Sequence, residues 1–119
     1  MNLEDLRRHL QLEIRAARGR LDREITCGYA SDLLSYAMAK ARTGCVWVTL
    51  QGHVNVVAVA SLADAAGVII TEGLEPDADT IEKANAEGIP ILTTELTTFT
   101  VVGQLFELGI PGVDDLDER

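Results

Sequence analysis

The sequence predicts a small α/β domain: a mainly parallel sheet flanked by helices. Three segments, Val46-Trp47-Val48-Thr49, Val68-Ile69-Ile70-Thr71 and Pro90-Ile91-Leu92-Thr93, begin 22 residues apart, twice in succession. Each is a short run of β-forming residues ending in threonine. Uninterrupted apolar runs suit strands buried on both faces, as parallel strands are. The spacing accommodates one strand, two short loops and a helix of about three turns, the length of a βα unit. Size agrees, because 119 residues with 47% apolar content supply one core.

The elements follow in chain order. Leu3, Leu6 and Leu10, continued by Ile14, form an apolar helical stripe, with Asn2 as cap and Glu4 and Asp5 favouring the helix dipole in the first turn. An extended piece is expected over Leu12–Ala16, a break at Gly19 and a short strand over Arg23–Cys27. Ser31 starts the next helix, with Asp32 beside its positive end, Leu34, Ala37, Met38 and Ala41 as its apolar face, and Gly44 as its stop. Between the first two strands, His53–Ala66 has valines that favour a strand, yet a parallel crossover needs about a dozen residues, usually helical. A buried helix is therefore expected there. Pro76–Gly88 is a helix opened by Pro76, Asp77 and Asp79 and closed by Gly88. Thr97–Leu108 is another, with Phe99, Val102 and Phe106 on its apolar face. Asp114, Asp115, Asp117 and Glu118 end the chain in a solvated acidic tail, giving a domain over residues 1–110 and a tail over 111–119.

Charge and composition exclude several functions. Ten basic against 19 acidic residues leave a net charge of −9, which argues against nucleic-acid binding. Cys27 and Cys45 have no zinc or CxxC spacing, and neither supports a disulfide scaffold; both are expected as inert core thiols. Residues 1–19 carry no continuous apolar stretch of a secretory signal. The most apolar run, Val54–Ile70, is interrupted by Asn55, Ser61 and Asp64 and falls short of the ~20 residues of a membrane span. A cytoplasmic protein without membrane contact is expected. The phosphate loop GxxxxGK[ST], the dinucleotide fingerprint GxGxxG, HExxH and GxSxG are all absent. No catalytic residue, cofactor or metal site is expected, and His9 lies on the polar side of its helix.

What remains is positional. Ligands of open parallel sheets bind beyond the carboxyl ends of the strands, where loops and helix starts converge. Those ends carry Thr49, Gln51, Gly52, His53 and Asn55, then Thr71, Glu72 and Gly73, then Thr94, Thr97 and Thr98. Thr49, Gln51, His53, Asn55, Thr71, Glu72, Gly73, Thr94 and Thr98 are the candidate ligand-binding set. Hydroxyls, amides and backbone N–H groups there suit a small polar ligand. The competing reading is ordinary caps and turns.

Four stretches carry a family resemblance: Leu21-Asp22-Arg23-Glu24-Ile25-Thr26-Cys27-Gly28, Trp47-Val48-Thr49, Ile70-Thr71-Glu72-Gly73-Leu74-Glu75-Pro76 and Ile89-Pro90-Ile91-Leu92-Thr93-Thr94. Together they resemble the DRTGG domain family, over roughly Leu3 to Gly109. That family is related to the N-terminal domains of HPr kinase/phosphorylase and the Mur ligases. The resemblance implies a regulatory unit that accompanies phosphotransacetylase catalytic domains, or nucleotide-sensing CBS domains in certain pyrophosphatases, and contributes to subunit contacts. Two departures bear on any ligand. Relatives commonly have Gly-Asp-Arg where this chain has Gly52-His53-Val54-Asn55, and Glu72 replaces a glycine of the usual Thr-Gly-Gly. Both weaken the case for bare phosphate. The expected function is a non-catalytic regulatory module that binds a small polar metabolite or nucleotide at the strand ends. The alternative is a ligand-free assembly module docking on a separate enzyme subunit. A homodimer is expected, because a sheet of few strands leaves an edge to cover and a small domain gains by burying more surface.

Overall fold

The strands spaced by 22 residues lie side by side in a computed structural model, which describes residues 1–117. Among these residues a five-stranded sheet has the order β1 (Glu13–Ala16), β5 (Ile91–Thr93), β4 (Gly67–Ile70), β3 (Cys45–Thr49), β2 (Cys27–Ala30). β2 to β5 are parallel, and β1 joins β5 antiparallel. The helices are α1 (Leu3–Leu10), α2 (Leu34–Lys40), α3 (Asn55–Leu62), α4 (Ala78–Glu87), α5 (Thr98–Glu107) and α6 (Val113–Asp117). The mainly parallel α/β prediction holds.

Connectivity decides which face each helix covers. β2, β3, β4 and β5 step across the sheet in one direction, so right-handed crossovers place α2, α3 and α4 on the same side. Ala37, Val56, Val57, Ala60 and Ala84 accordingly share one core with Cys45, Trp47, Val68, Ile70 and Ile91. The opposite core gathers Leu3, Leu6 and Leu10 of α1 and Val101 and Leu105 of α5 on Val46, Val48, Ile69 and Leu92. Alternation along β3 sends Cys45 and Trp47 one way and Val46 and Val48 the other. The helix expected at His53–Ala66 forms over Asn55–Leu62 despite its valines, because the crossover must return the chain to the start of β4.

Local chemistry fixes the ends. Asn2 Oδ1 accepts from Asp5 N at 2.9 Å while Asp5 Oδ2 accepts from Asn2 N at 3.0 Å, a reciprocal cap worth about 1 kcal/mol. Gly88 closes α4 in the left-handed conformation, φ +71°.

The structure departs from the expectations at several points. The second strand lies at Cys27–Ala30 rather than Arg23–Cys27. The preceding residues are held by the chain's start, Ile25 N donating to Met1 O at 2.9 Å, and by Arg23, which bonds Asp64. α2 begins at Leu34 rather than Ser31: Ser31 O accepts from Trp47 Nε1 at 3.0 Å, and Met38 faces solvent. Ile14 belongs to β1, not to the first helix. On α5, Val101 and Leu105 are buried while Phe99, Val102 and Phe106 point outward. Residues 111–117, where the acidic tail was expected to begin, contain α6; Val113 is buried and Pro111 O accepts from Gly28 N at 2.8 Å. The remaining tail positions, 118 and 119, lie outside the described residues. No helix among the described residues is long and apolar enough to cross a membrane.

Candidate functional site

The chain leaves β4 toward α4 on one face of the sheet and leaves β5 toward α5 on the other. Neighbouring strands whose connections diverge in this way open a crevice at their carboxyl ends. Five of the nine candidate residues converge there: Thr71, Glu72 and Gly73 after β4, and Thr94 and Thr98 after β5. The two loops are stitched together. Glu72 N donates to Leu96 O at 2.8 Å, Gly73 N to Thr94 O at 2.9 Å and Thr94 N to Ile70 O at 3.1 Å. Thr71 Oγ1 and Thr98 Oγ1 are 2.6 Å apart, and Thr94 Oγ1 accepts from Leu96 N at 3.1 Å. Glu72 and Gly73 both adopt left-handed backbone, φ +64° and +75°. That geometry aims the Glu72 carboxylate at α5, where Oε2 accepts from Thr98 N at 3.2 Å. A carboxylate thereby occupies the positive end of that helix.

The other four candidates lie apart from this cluster. Thr49 is fully buried, and its hydroxyl donates to Asp32 Oδ1 at 3.2 Å. The same oxygen accepts from Leu50 N at 2.7 Å, and Gln51 Nε2 donates to Asp32 O at 3.0 Å. Thr49 and Gln51 thus latch the end of β3 to the start of α2, and Thr71 N donates to Thr49 O at 3.2 Å. His53 and Asn55 are exposed at the start of α3, bonded to each other through Asn55 N and His53 Nδ1 at 3.1 Å. Gly52 O accepts from Asp77 N at 3.0 Å and Thr80 Oγ1 at 2.7 Å, which ties this loop to α4.

Beside the crevice runs a polar groove of about 340 Å³, lined by Glu13, Arg15, Gly73, Glu75, Thr93, Thr94 and Glu95. Arg15 grips Glu75 with two bonds, Nε–Oε1 at 2.6 Å and Nη2–Oε2 at 3.0 Å. Those bonds hold the Glu75 carboxyl below its ordinary range and raise the Arg15 guanidinium. Three carboxylates to one guanidinium suit hydroxyl, amide or ammonium groups better than bare phosphate. Sequence reasoning missed Arg15, Glu13, Glu75 and Glu95. Alternation of Glu13 and Arg15 with apolar residues is the one local signal that these side chains flank a strand. No group of three or more His, Cys, Asp or Glu among the described residues is placed to hold a metal ion.

The family model described as the DRTGG domain matches residues 6–108, most of the chain. A similar solved structure is the crystal structure of the CBS and DRTGG domains of the regulatory region of Clostridium perfringens pyrophosphatase, complexed with its activator diadenosine tetraphosphate. The TM-score is 0.67 at 17% identity, and the match covers 92% of this chain and 47% of that one. This chain therefore spans about half of that relative's length, and the likeness establishes a shared fold. No curated protein sequence matches.

Proposed function

The chain belongs to the DRTGG domain family, and on that premise we propose that it is a non-catalytic regulatory module that binds a small polar ligand at the carboxyl ends of β4 and β5. The observation that carries this reading is the coincidence of the sheet's divergence point with a polar groove, where Gly73 and Thr94 meet Arg15 and Glu75. The solved relative supports it, being the regulatory region of an enzyme in complex with a nucleotide activator. The catalytic activity under control would reside outside the described residues.

The ligand is a nucleoside, an amino acid or a nucleotide carrying a charge-neutralising cation. Glu72 already occupies the α5 N-terminus, and the groove's carboxylates repel an uncompensated anion. His53 and Asn55 would contribute only to a ligand long enough to extend from the groove toward α3.

Thermal denaturation tests the reading against nucleosides, nucleotides with and without Mg²⁺, and amino acids at millimolar concentration. A specific ligand at 100 times its Kd adds about 2.7 kcal/mol of apparent stability. Arg15→Gln should remove most of that shift and leave the unliganded melting point nearly unchanged, because an exposed ion pair contributes only about 0.5 kcal/mol. If no compound moves the transition, the ligand-binding reading is wrong and a purely assembling module remains.

A further inference from the structure

Among the described residues four polar side chains are buried: Thr49, Thr71, Thr80 and Thr93. Three have their hydroxyls engaged, Thr49 with Asp32, Thr71 with Thr98 and Thr80 with the Gly52 carbonyl. Thr93 is the exception. It is 2% exposed, and its hydroxyl has no hydrogen-bond partner among the described residues. A hydroxyl buried without a partner is destabilising, so a bond left open here calls for a group from outside the chain.

Strand alternation shows where that hydroxyl points. Ile91 packs on the α4 side of the sheet and Leu92 on the α5 side, which turns Thr93 to the α4 side. Its register partner on β1 is Glu13, and Ile14 packs on the α5 side, so Glu13 shares the face of Thr93. Both residues line the polar groove in which Arg15 meets Glu75. Glu95 lies across the same groove. A Cβ on Gly73 would collide with Glu95 Oε2, so this carboxylate is folded over the Gly73 backbone rather than extended into water.

The charges in the groove are unequally satisfied. Neither Glu13 nor Glu95 has an ion-pair or hydrogen-bond partner among the described residues. Arg15 gives Nε and one Nη2 hydrogen to Glu75, which leaves three N–H groups. Glu13 stands close enough to help raise the Arg15 guanidinium, so unspent groups of opposite sign lie side by side.

On the premise that this groove is the ligand site, we propose that its ligand is a free amino acid, the ammonium held by Glu13, Glu95 and Thr93 Oγ1 and the carboxylate by the remaining N–H groups of Arg15. An ammonium has three N–H donors, and the groove holds three unengaged groups able to accept them. A neutral nucleoside would leave both carboxylates uncompensated. A nucleotide escorted by a cation needs carboxylates gathered round the ion, and no three His, Cys, Asp or Glu among the described residues are so placed. The zwitterion also carries no net charge for the protein's −9 to repel.

Thermal denaturation of the intact chain with the common amino acids, each at millimolar concentration, should find at least one that raises the transition. Its N-acetyl derivative, which lacks the ammonium, and its methyl ester, which lacks the carboxylate, should not. Thr93→Val replaces the hydroxyl by a methyl group of the same shape. It should weaken binding of that amino acid about tenfold and leave the unliganded transition no lower, because no bond within the chain is lost. Glu95→Gln should weaken binding likewise. Equal binding of the N-acetyl derivative overturns the proposal, as does unchanged affinity in Thr93→Val or a lowered unliganded transition in that variant. If adenosine shifts the transition through Arg15 while no amino acid does, the groove stands as the ligand site and the amino-acid assignment alone fails. If amino acids, nucleosides and nucleotides with Mg²⁺ all leave the transition unmoved, both fail.

Discussion

Glu72 holds a backbone conformation that disfavours any side chain. At φ +64° a residue with a Cβ costs roughly 1 kcal/mol relative to glycine. Part of that cost is offset by what the conformation achieves, since the carboxylate caps Thr98 N at the start of α5. The two contributions separate in a pair of variants. Glu72→Ala keeps the strain and loses the cap, and should lower urea-derived stability by about 1 kcal/mol. Glu72→Gly loses the same cap but relieves the backbone, and should stay within about 0.5 kcal/mol of the parent. Equal losses in both variants would show that no strain is held at this position. Glycine at the corresponding place in the family's Thr-Gly-Gly pattern is what the observed dihedral favours, so Glu72 adds a negative charge at a position whose backbone prefers no side chain.

The loop from β3 into α3 is held by one close approach. A Cβ on Gly52 would stand 2.7 Å from Glu75 O and 3.1 Å from Pro76 Cα, both backbone atoms of the segment leading into α4. Neither segment can retreat freely, because Gly52 O accepts from Asp77 N and Thr80 Oγ1. Gly52→Ala should therefore cost about 2 kcal/mol in thermal or urea unfolding; an unchanged midpoint would mean that the two loops are not packed this tightly. Elements with one apolar pattern were legible in the sequence. Val46–Thr49 could only be a buried strand, and α3 followed from connectivity even where valine argued otherwise. α5 was harder, because it carries two apolar stripes, Phe99-Val102-Phe106 and Val101-Leu105. The choice between them is made by the loop bonds that fix its entry, not by its composition. The strand-end rule found the cluster at β4 and β5, but not that His53 and Asn55 would stand apart from it. Arg15 and Glu75 were out of reach because their bond spans 60 residues and depends on β1 pairing antiparallel with β5.

The molecule as a whole should have a stability plateau bounded on two sides by different groups. On the acid side, Arg7 holds Glu4 low, the Asn2 backbone holds Asp5 low and Arg15 holds Glu75 low. A carboxyl depressed on folding stabilises above its unfolded value and loses that contribution as pH falls through its folded one, so stability declines below about pH 4. The alkaline limit has another origin. Burial raises the Cys45 thiol from its ordinary 9.0 to about 11, with the neighbouring Cys27 adding to the rise. Between those values the unfolded chain has released the proton and the folded chain has kept it. Folding then weakens as pH rises, by about 3 kcal/mol in all at about 1.4 kcal/mol per pH unit. Urea titrations at successive pH values should show this alkaline decline in the parent and its near absence in Cys45→Ala. That variant should be less stable at neutral pH, where the smaller side chain leaves β3 underpacked against α3, yet nearly flat between pH 9 and 11. Equal alkaline slopes in the two proteins would mean that the Cys45 thiol ionises as easily inside the sheet as in water.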